Sequence, residues 1–222
     1  MTIRLLSIEI NSECNRKCKW CPNAYFDRKD IVFLDMSIIE KVLKQCVGVA
    51  QMNFNNYNEP CMDPRLVDIV RMARRILGPE CHIYLNTNGD FLTKELFDAL
   101  KDAGMSTFNI TDYDGNSRID FAPTNRVQNI RLYNRAGLVK KMGISSPLAA
   151  PCPKPSNELV VNYLGQVVLC CSDFLGEVVV GDAKTEAIAD IWNSPILQEY
   201  REKLLVGNRA GLSLCKDCSF ML

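Results

Sequence analysis

Short apolar runs alternate with amphipathic helical patterns through the first half of the chain, and this alternation restricts the fold more than any other feature. Residues 3–10 read as a strand. Ser37-Ile38-Ile39-Glu40 has the form of a capping box and opens a helix to about residue 49. Residues 51–57 read as a second strand. Asp63-Pro64 then starts a helix, with Asp63 as N-cap and Pro64 in the first turn. Leu66, Val67, Ile69, Val70, Ala73 and Leu77 recur at helical spacing, and Gly78-Pro79 stops them. Residues 81–85 read as a third strand. Thr93 caps a helix that ends at Gly104, and 106–110 and 127–133 read as two further strands. Strands joined through helices by short connections imply right-handed β-α units on a parallel sheet. Sites in such sheets lie at the carboxyl ends of the strands.

The loop after the first strand reads Cys14-Asn15-Arg16-Lys17-Cys18-Lys19-Trp20-Cys21. Three thiolates this close can converge on one metal centre. A cubane 4Fe–4S cluster has four irons, so three cysteines leave one iron open. A closed structural zinc site wants a fourth ligand nearby. The next cysteine, Cys46, falls in a helical pattern, and the only histidine is His82.

The chain has 11 cysteines, an odd number. A secreted protein would pair them as disulfides with one thiol left over. Arg4 and Glu9 interrupt the N-terminal apolar run, so a signal-peptide pattern is missing. Metal binding in a reducing cytoplasm is the better reading. The 26 basic and 26 acidic residues cancel. No block of like charge marks a nucleic-acid or membrane surface. No apolar run approaches the roughly 20 residues of a membrane span.

Composition changes after a linker over 138–151, rich in Gly, Ser, Pro and Ala. Residues 159–163 and 166–170 form a hairpin about Leu164-Gly165, and 177–180 add a strand. Ile188 to Trp192 lead into a helix over 195–205. Cys152, Cys170, Cys215 and Cys218 can converge, the last two as a C-x₂-C knuckle. Cys170 and Cys171 point to opposite faces of their strand, so only one of them serves. Cys170, at the end of the hairpin, is assigned, with Cys171 as the alternative. Four thiolates suit zinc as well as a cluster. Cys46, Cys61 and Cys81 read as small buried apolar residues.

At Cys14, Cys18, Trp20 and Cys21 the chain resembles the radical S-adenosylmethionine (SAM) superfamily. There, C-x₃-C-x-aromatic-C holds a 4Fe–4S cluster whose open iron chelates SAM. Asn56-Tyr57-Asn58-Glu59-Pro60 is similar to the family's Gly-Tyr-Gly-Glu-Pro segment, with asparagine at both glycine positions. Asparagine is the non-glycine residue that best tolerates positive φ. Asn86-Thr87-Asn88-Gly89 and Thr111-Asp112 resemble the family's polar strand ends. The resemblance implies SAM contacts at Trp20, Asn58, Glu59, Pro60, Thr87, Asn88, Thr111 and Asp112. Asn134-Arg135-Ala136-Gly137 and the C-terminal cysteine layout resemble the SPASM/twitch branch. That implies a second, closed 4Fe–4S cluster held by Cys152, Cys170, Cys215 and Cys218.

The expected fold is therefore α/β: a partial (β/α) barrel over residues 1–140 and a small β-rich auxiliary-cluster domain over 141–222. The resemblance implies an enzyme that generates a 5′-deoxyadenosyl radical, fed by an electron donor such as flavodoxin or ferredoxin. A closed second cluster moves electrons but binds no substrate. That favours oxidation of a secondary alcohol to a ketone on a small sugar or cyclitol, as in the branch's aminocyclitol dehydrogenases. By the same likeness Arg135 is placed at the reacting hydroxyl, with water or Asp112 taking the proton. Peptide or protein modification, by epimerisation or thioether formation, is the alternative. A non-catalytic iron–sulfur or zinc scaffold is a third reading.

Overall fold

The computed structural model describes residues 3–115, 117–126, 133–139 and 149–220. The first strand, β1 (Leu5–Ile8), is apolar and its Leu6 and Ile8 are fully buried. It is followed by α1 (Met36–Gln45), β2 (Gln51–Asn53), α2 (Leu66–Leu77), β3 (His82–Thr87), α3 (Lys94–Asp102), β4 (Thr107–Asp112) and β5 (Thr124–Arg126). The C-terminal part holds α4 (Lys154–Asn157), β6 (Glu158–Val161), β7 (Gln166–Val168), β8 (Val179–Asp182), α5 (Ile188–Trp192) and α6 (Pro195–Leu205).

All eight strands join one sheet in the order β5-β4-β3-β2-β1-β6-β7-β8. Pairing is parallel from β5 to β6 and antiparallel across the β6-β7-β8 hairpins. The second segment is thus continuous with the first: Leu5 to Ile8 of β1 lie in register with Glu158 to Val161 of β6. The parallel half is the partial barrel expected from the strand–helix alternation, and the antiparallel half is the β-rich appendage.

Helix α2 buries Leu66, Ile69, Val70, Ala73 and Leu77 against the sheet, and α1 buries Ile39, Val42 and Leu43. Each such Leu, Ile or Val contributes roughly 1.5–3 kcal/mol when fully buried. Arg74 on α2 closes the far end of the barrel. Its guanidinium donates to the carbonyls of Gly78 (2.7 Å), Cys81 (2.8 Å) and Gly104 (2.8 Å). Gly104 has φ 104°, which only glycine adopts readily.

Two local expectations change, and a third falls largely outside the described residues. The capping box does not form, because Asp35, two residues earlier, caps α1 by accepting from the Ser37 N–H at 2.7 Å. Glu40 is one turn on and pairs with Lys44 instead. Asp63 accepts from the Arg65 N–H at 2.9 Å as a cap should, but α2 proper starts at Leu66. Of the strand expected over 127–133, residues 127–132 lie outside the described residues. The fifth parallel strand described is 124–126, paired with β4. Among the described residues no helix is long and apolar enough to cross a membrane.

Candidate active site

The three-cysteine loop is tied to the ends of the strands that surround it. Glu9, at the end of β1, is fully buried. It pairs with Arg28 at 2.8 Å and accepts from the Tyr57 N–H at 2.8 Å. Asn23 donates to the Tyr57 carbonyl at 2.7 Å. Arg16 forks between Asp90 after β3 (2.6 Å) and Asp114 after β4 (2.7 Å). Cys14, Cys18 and Cys21 are half-buried around this frame. Burial, then the neighbouring sulfurs Cys21 and Cys14, push the Cys18 thiol up to about 11. Burial also raises Cys14 and Cys21. A metal cluster takes these sulfurs as thiolates, so binding it would release their protons.

A large open cavity extends from this loop across the strand ends. Cys14, Cys18, Cys21, Trp20, Asn58, Glu59, Thr87, Asn88, Thr111 and Arg135 all line it, so ten of the residues singled out in the sequence share one space. Glu59 is 2% exposed. Its carboxylate accepts from the Thr87 hydroxyl (2.7 Å) and from the N–H groups of Asn88 (2.8 Å) and Cys61 (3.0 Å). Burial nevertheless pushes its pKa above the ordinary glutamate value. Such a fixed, desolvated carboxylate is suited to an ammonium group. Pro60 opens the 3₁₀ turn that aims Glu59, and it is itself buried. Trp20 stacks on Tyr113, with ring centroids 5.8 Å apart.

Two expectations at this site need correction. Neither Asn56 nor Asn58 adopts positive φ. The loop closes instead through the Asn58 side chain, which accepts from the Asn56 N–H (3.1 Å) and donates to the Phe54 carbonyl (3.2 Å). Asp112 lies apart from the ten: it lines a neighbouring cavity, and its carboxylate caps a turn by accepting from the N–H groups of Asp114 and Gly115. A carboxylate oriented by that turn is not aimed at the thiol cavity.

Arg135 sits in a left-handed turn, with φ 49° at Arg135 and 55° at Ala136. Asn134 clamps the turn to the C-terminal knuckle, donating to the Asp217 carbonyl (2.6 Å) and accepting from the Ser219 N–H (2.8 Å). The Arg135 guanidinium donates to the Tyr133 hydroxyl at 2.6 Å and lies 4.3 Å over its ring. Among the described residues no carboxylate pairs with it. The fully buried Tyr57 hydroxyl beside it likewise finds no protein partner among those residues.

Behind this cavity lies a smaller one, lined by Cys152, Cys170, Cys215 and Cys218 with Leu169, Leu204 and Leu214. Burial, then Cys218 and Cys152, push Cys215 up to about 12. Arg209 is 2% exposed and binds the segments that carry the outer thiols, donating to the carbonyls of Ala150, Pro151, Cys218 and Phe220. Among the described residues no three Cys, His, Asp or Glu side chains converge tightly enough for one metal ion. A zinc ion draws its sulfurs to about 2.3 Å from one centre. A four-iron cube spreads its thiolates over four corners, and four thiols line this cavity. Cys171 faces the other way, into the open cavity, where the Lys154 ammonium donates to its sulfur at 2.8 Å.

The sequence reading missed a polar floor of the open cavity. Asn53 donates to Ser7 (3.0 Å) and Tyr84 (2.9 Å), and Asn86 donates to Asn55 (3.0 Å). Asn53 and Asn55 on the β2 run, with Tyr84 and Asn86 on β3, occupy alternate positions, and that two-residue period was the available signal. Lys154 and Glu158 complete this end.

A model of the radical SAM superfamily matches residues 8–142, and one of the SPASM iron–sulfur cluster-binding domain matches residues 152–219. The S-adenosyl-L-methionine-dependent 2-deoxy-scyllo-inosamine dehydrogenase of Niallia circulans is 29% identical over 231 residues, spanning 97% of this chain and 92% of that protein. The structure of BtrN in complex with AdoMet and 2-DOIA superposes with TM-score 0.90 at 28% identity, over 100% of this chain and 94% of that one. BtrN in an open conformation superposes with TM-score 0.80 at 27% identity, over 99% and 94%. The chain is therefore more similar to the liganded form than to the open one.

Proposed function

The chain belongs to the radical SAM superfamily, and from that premise we propose that it oxidises a secondary alcohol of a small polyhydroxylated ring, an aminocyclitol or a near relative, to the ketone. The observation that carries this reading is the wall between the two cavities. Cys170 lines the closed four-thiol cavity, and Cys171, next in the chain, lines the open one. A substrate beside Arg135 thus has an electron sink immediately behind it. The strong likeness to a dehydrogenase over nearly the whole chain favours this reading over peptide modification.

When bound, SAM and the two iron–sulfur clusters supply a 5′-deoxyadenosyl radical and an acceptor for one electron. Cys14, Cys18 and Cys21 would hold the SAM-binding cluster, and Cys152, Cys170, Cys215 and Cys218 the auxiliary one. Glu59 takes the ammonium of SAM, while Trp20, Asn58, Thr87, Asn88 and Thr111 shape its bed and Pro60 sets the turn. The amide-lined floor around Asn53 and Asn86 suits the hydroxyls of the ring. Arg135 holds the reacting oxygen: its fixed charge stabilises the oxyanion that forms as the hydroxyl loses its proton. Arginine stays protonated up to pH ~12, so it acts by charge and not as a base. With Asp112 turned aside, the proton passes to water at the open mouth.

Residues 1–140 form the catalytic barrel and 141–222 the electron-accepting domain. Lys17 and Lys19 flank Cys18 at exposed positions, and an electron donor such as flavodoxin or ferredoxin feeds the first cluster. Eleven cysteines, seven of them assigned to clusters, suit the cytoplasm. The test is anaerobic incubation of the reconstituted enzyme with SAM, reductant and 2-deoxy-scyllo-inosamine or a panel of cyclitols and sugars. One ketone should form per 5′-deoxyadenosine. Release of an epimer, or of a modified peptide, with no ketone would overturn the reading.

A further inference from the structure

One charged side chain belongs to both cavities. Lys154 lines the closed four-thiol cavity and the open substrate cavity alike. It is 9% exposed, with its ammonium 2.8 Å from the Cys171 sulfur and 3.6 Å from the Glu158 carboxylate. Lysine is almost never buried this deeply unless it faces a charge. Glu158 lines the open cavity only. On the closed side the described lining holds two cations, Lys154 and Arg209, and no carboxylate. The two cations differ in use. Arg209 is occupied by four backbone carbonyls and knots the segments together. Lys154 donates to no backbone carbonyl among the described residues; its ammonium meets Cys171 and Glu158 on the open side and stands 4.4 Å over the Phe220 ring, which lines the four-thiol cavity.

We propose that Lys154 tunes the auxiliary cluster, its fixed ammonium raising the reduction potential so that the cluster accepts an electron from the substrate side. The proposal rests on the reading that Cys152, Cys170, Cys215 and Cys218 hold that cluster. Oxidation of the alcohol removes a hydrogen atom from carbon. The radical left behind loses one proton, to water, and one electron, which reduces the auxiliary cluster by one unit. Four thiolates make that cluster anionic before the electron arrives. In a buried, low-dielectric site the added negative charge is opposed unless a cation stands close by. Net local charge is among the main determinants of iron–sulfur potentials. Lys154 is a tuning residue here, acting through the cluster rather than on the substrate.

The experiment is an EPR-monitored redox titration of the fully loaded, anaerobic enzyme. Lys154→Met and Lys154→Gln should lose at least tenfold in the equilibrium constant for reducing the second cluster, a fall of about 59 mV or more for a one-electron couple. The first cluster should not move. Lys154→Arg should keep the native value. Glu158→Gln removes the opposing carboxylate and should shift the potential upward. Loaded neutral variants that titrate at the native potential would overturn the proposal. So would an unchanged or lowered potential in Glu158→Gln, which serves if the lysine variants fail to load. Failure of the underlying ligand reading looks different: the native chain would then bind about four irons rather than the eight of two cubanes.

Discussion

Replacing Arg135 by alanine should separate the two halves of the reaction. The guanidinium has five N–H groups, and one is engaged by the Tyr133 hydroxyl at 2.6 Å. The others have no protein acceptor among the described residues, and the side chain lines the cavity. Loss of one preorganised donor to a developing oxyanion costs on the order of 10²–10³ in turnover, about 2.7–4 kcal/mol. The backbone should not add to this, because alanine carries the same Cβ at φ 49° that arginine does. The glutamate and threonine end of the cavity is untouched, so SAM cleavage should stay within a few-fold of native. Arg135→Lys keeps the charge but loses the planar fork, and should fall between the two. The assay is a single anaerobic turnover with 5′-deoxyadenosine and ketone quantified separately by mass spectrometry. A native ketone-to-deoxyadenosine ratio in the alanine variant would refute the reasoning. A parallel loss of both products would place Arg135 in SAM binding instead.

Other predictions concern the rest of the site and its support. Cys170→Ala should lose about four irons while Cys171→Ala keeps all eight, as iron analysis will show; the reverse pattern would exchange their roles. Cys18→Ala should abolish 5′-deoxyadenosine formation while the second cluster's absorption persists. Burial holds the Glu59 pKa above the ordinary glutamate value, and only the ionised carboxylate pairs with an ammonium. SAM affinity, measured calorimetrically from about pH 8 to about pH 5, should therefore fall as pH drops through that raised pKa, starting above the usual range near 4.3. Glu59→Gln should bind weakly with no such slope. A Cβ at Gly104 would meet Arg74 Cγ at 2.6 Å, at φ 104°. Gly104→Ala should cost about 1–3 kcal/mol, a fall in Tm of roughly 2–12 °C by scanning calorimetry, and an unchanged Tm would refute that packing argument.

The parts of the fold and site that were readable from sequence are those encoded by neighbours in the chain. Helical spacing in α2, the three-cysteine loop and the Gly165 hairpin each depend on residues a few positions apart. The parts that were not readable depend on what folding brings together. Asp112 has the right residue type at the end of β4, but a turn two residues on captures its carboxylate. Asn56 and Asn58 replace glycines and tolerate positive φ, yet a side-chain hydrogen bond shapes the loop without it. Lys154 gave no local signal, because its significance comes from two cavities built by segments far apart in sequence. The alternation at Cys170 and Cys171 was readable as a choice. Which thiol faces which cavity needed the packed hairpin.

The pairing of β1 with β6 sets a timetable for synthesis. β1 leaves the ribosome before β6, which begins about 150 residues later. At ~5–20 residues per second the interval is roughly 8–30 s. For that time one edge of β1 has no neighbour, although Leu6 and Ile8 end fully buried. An apolar strand with an open edge is a template for intermolecular pairing. The groups that frame the three-cysteine loop, Glu59, Asp90 and Asp114, all arrive well before β6. The SAM-binding thiols can thus be organised while the auxiliary thiols are still untranslated. Soluble yield should then depend on shielding a nascent strand, and iron delivery to the two sites should follow the order of translation.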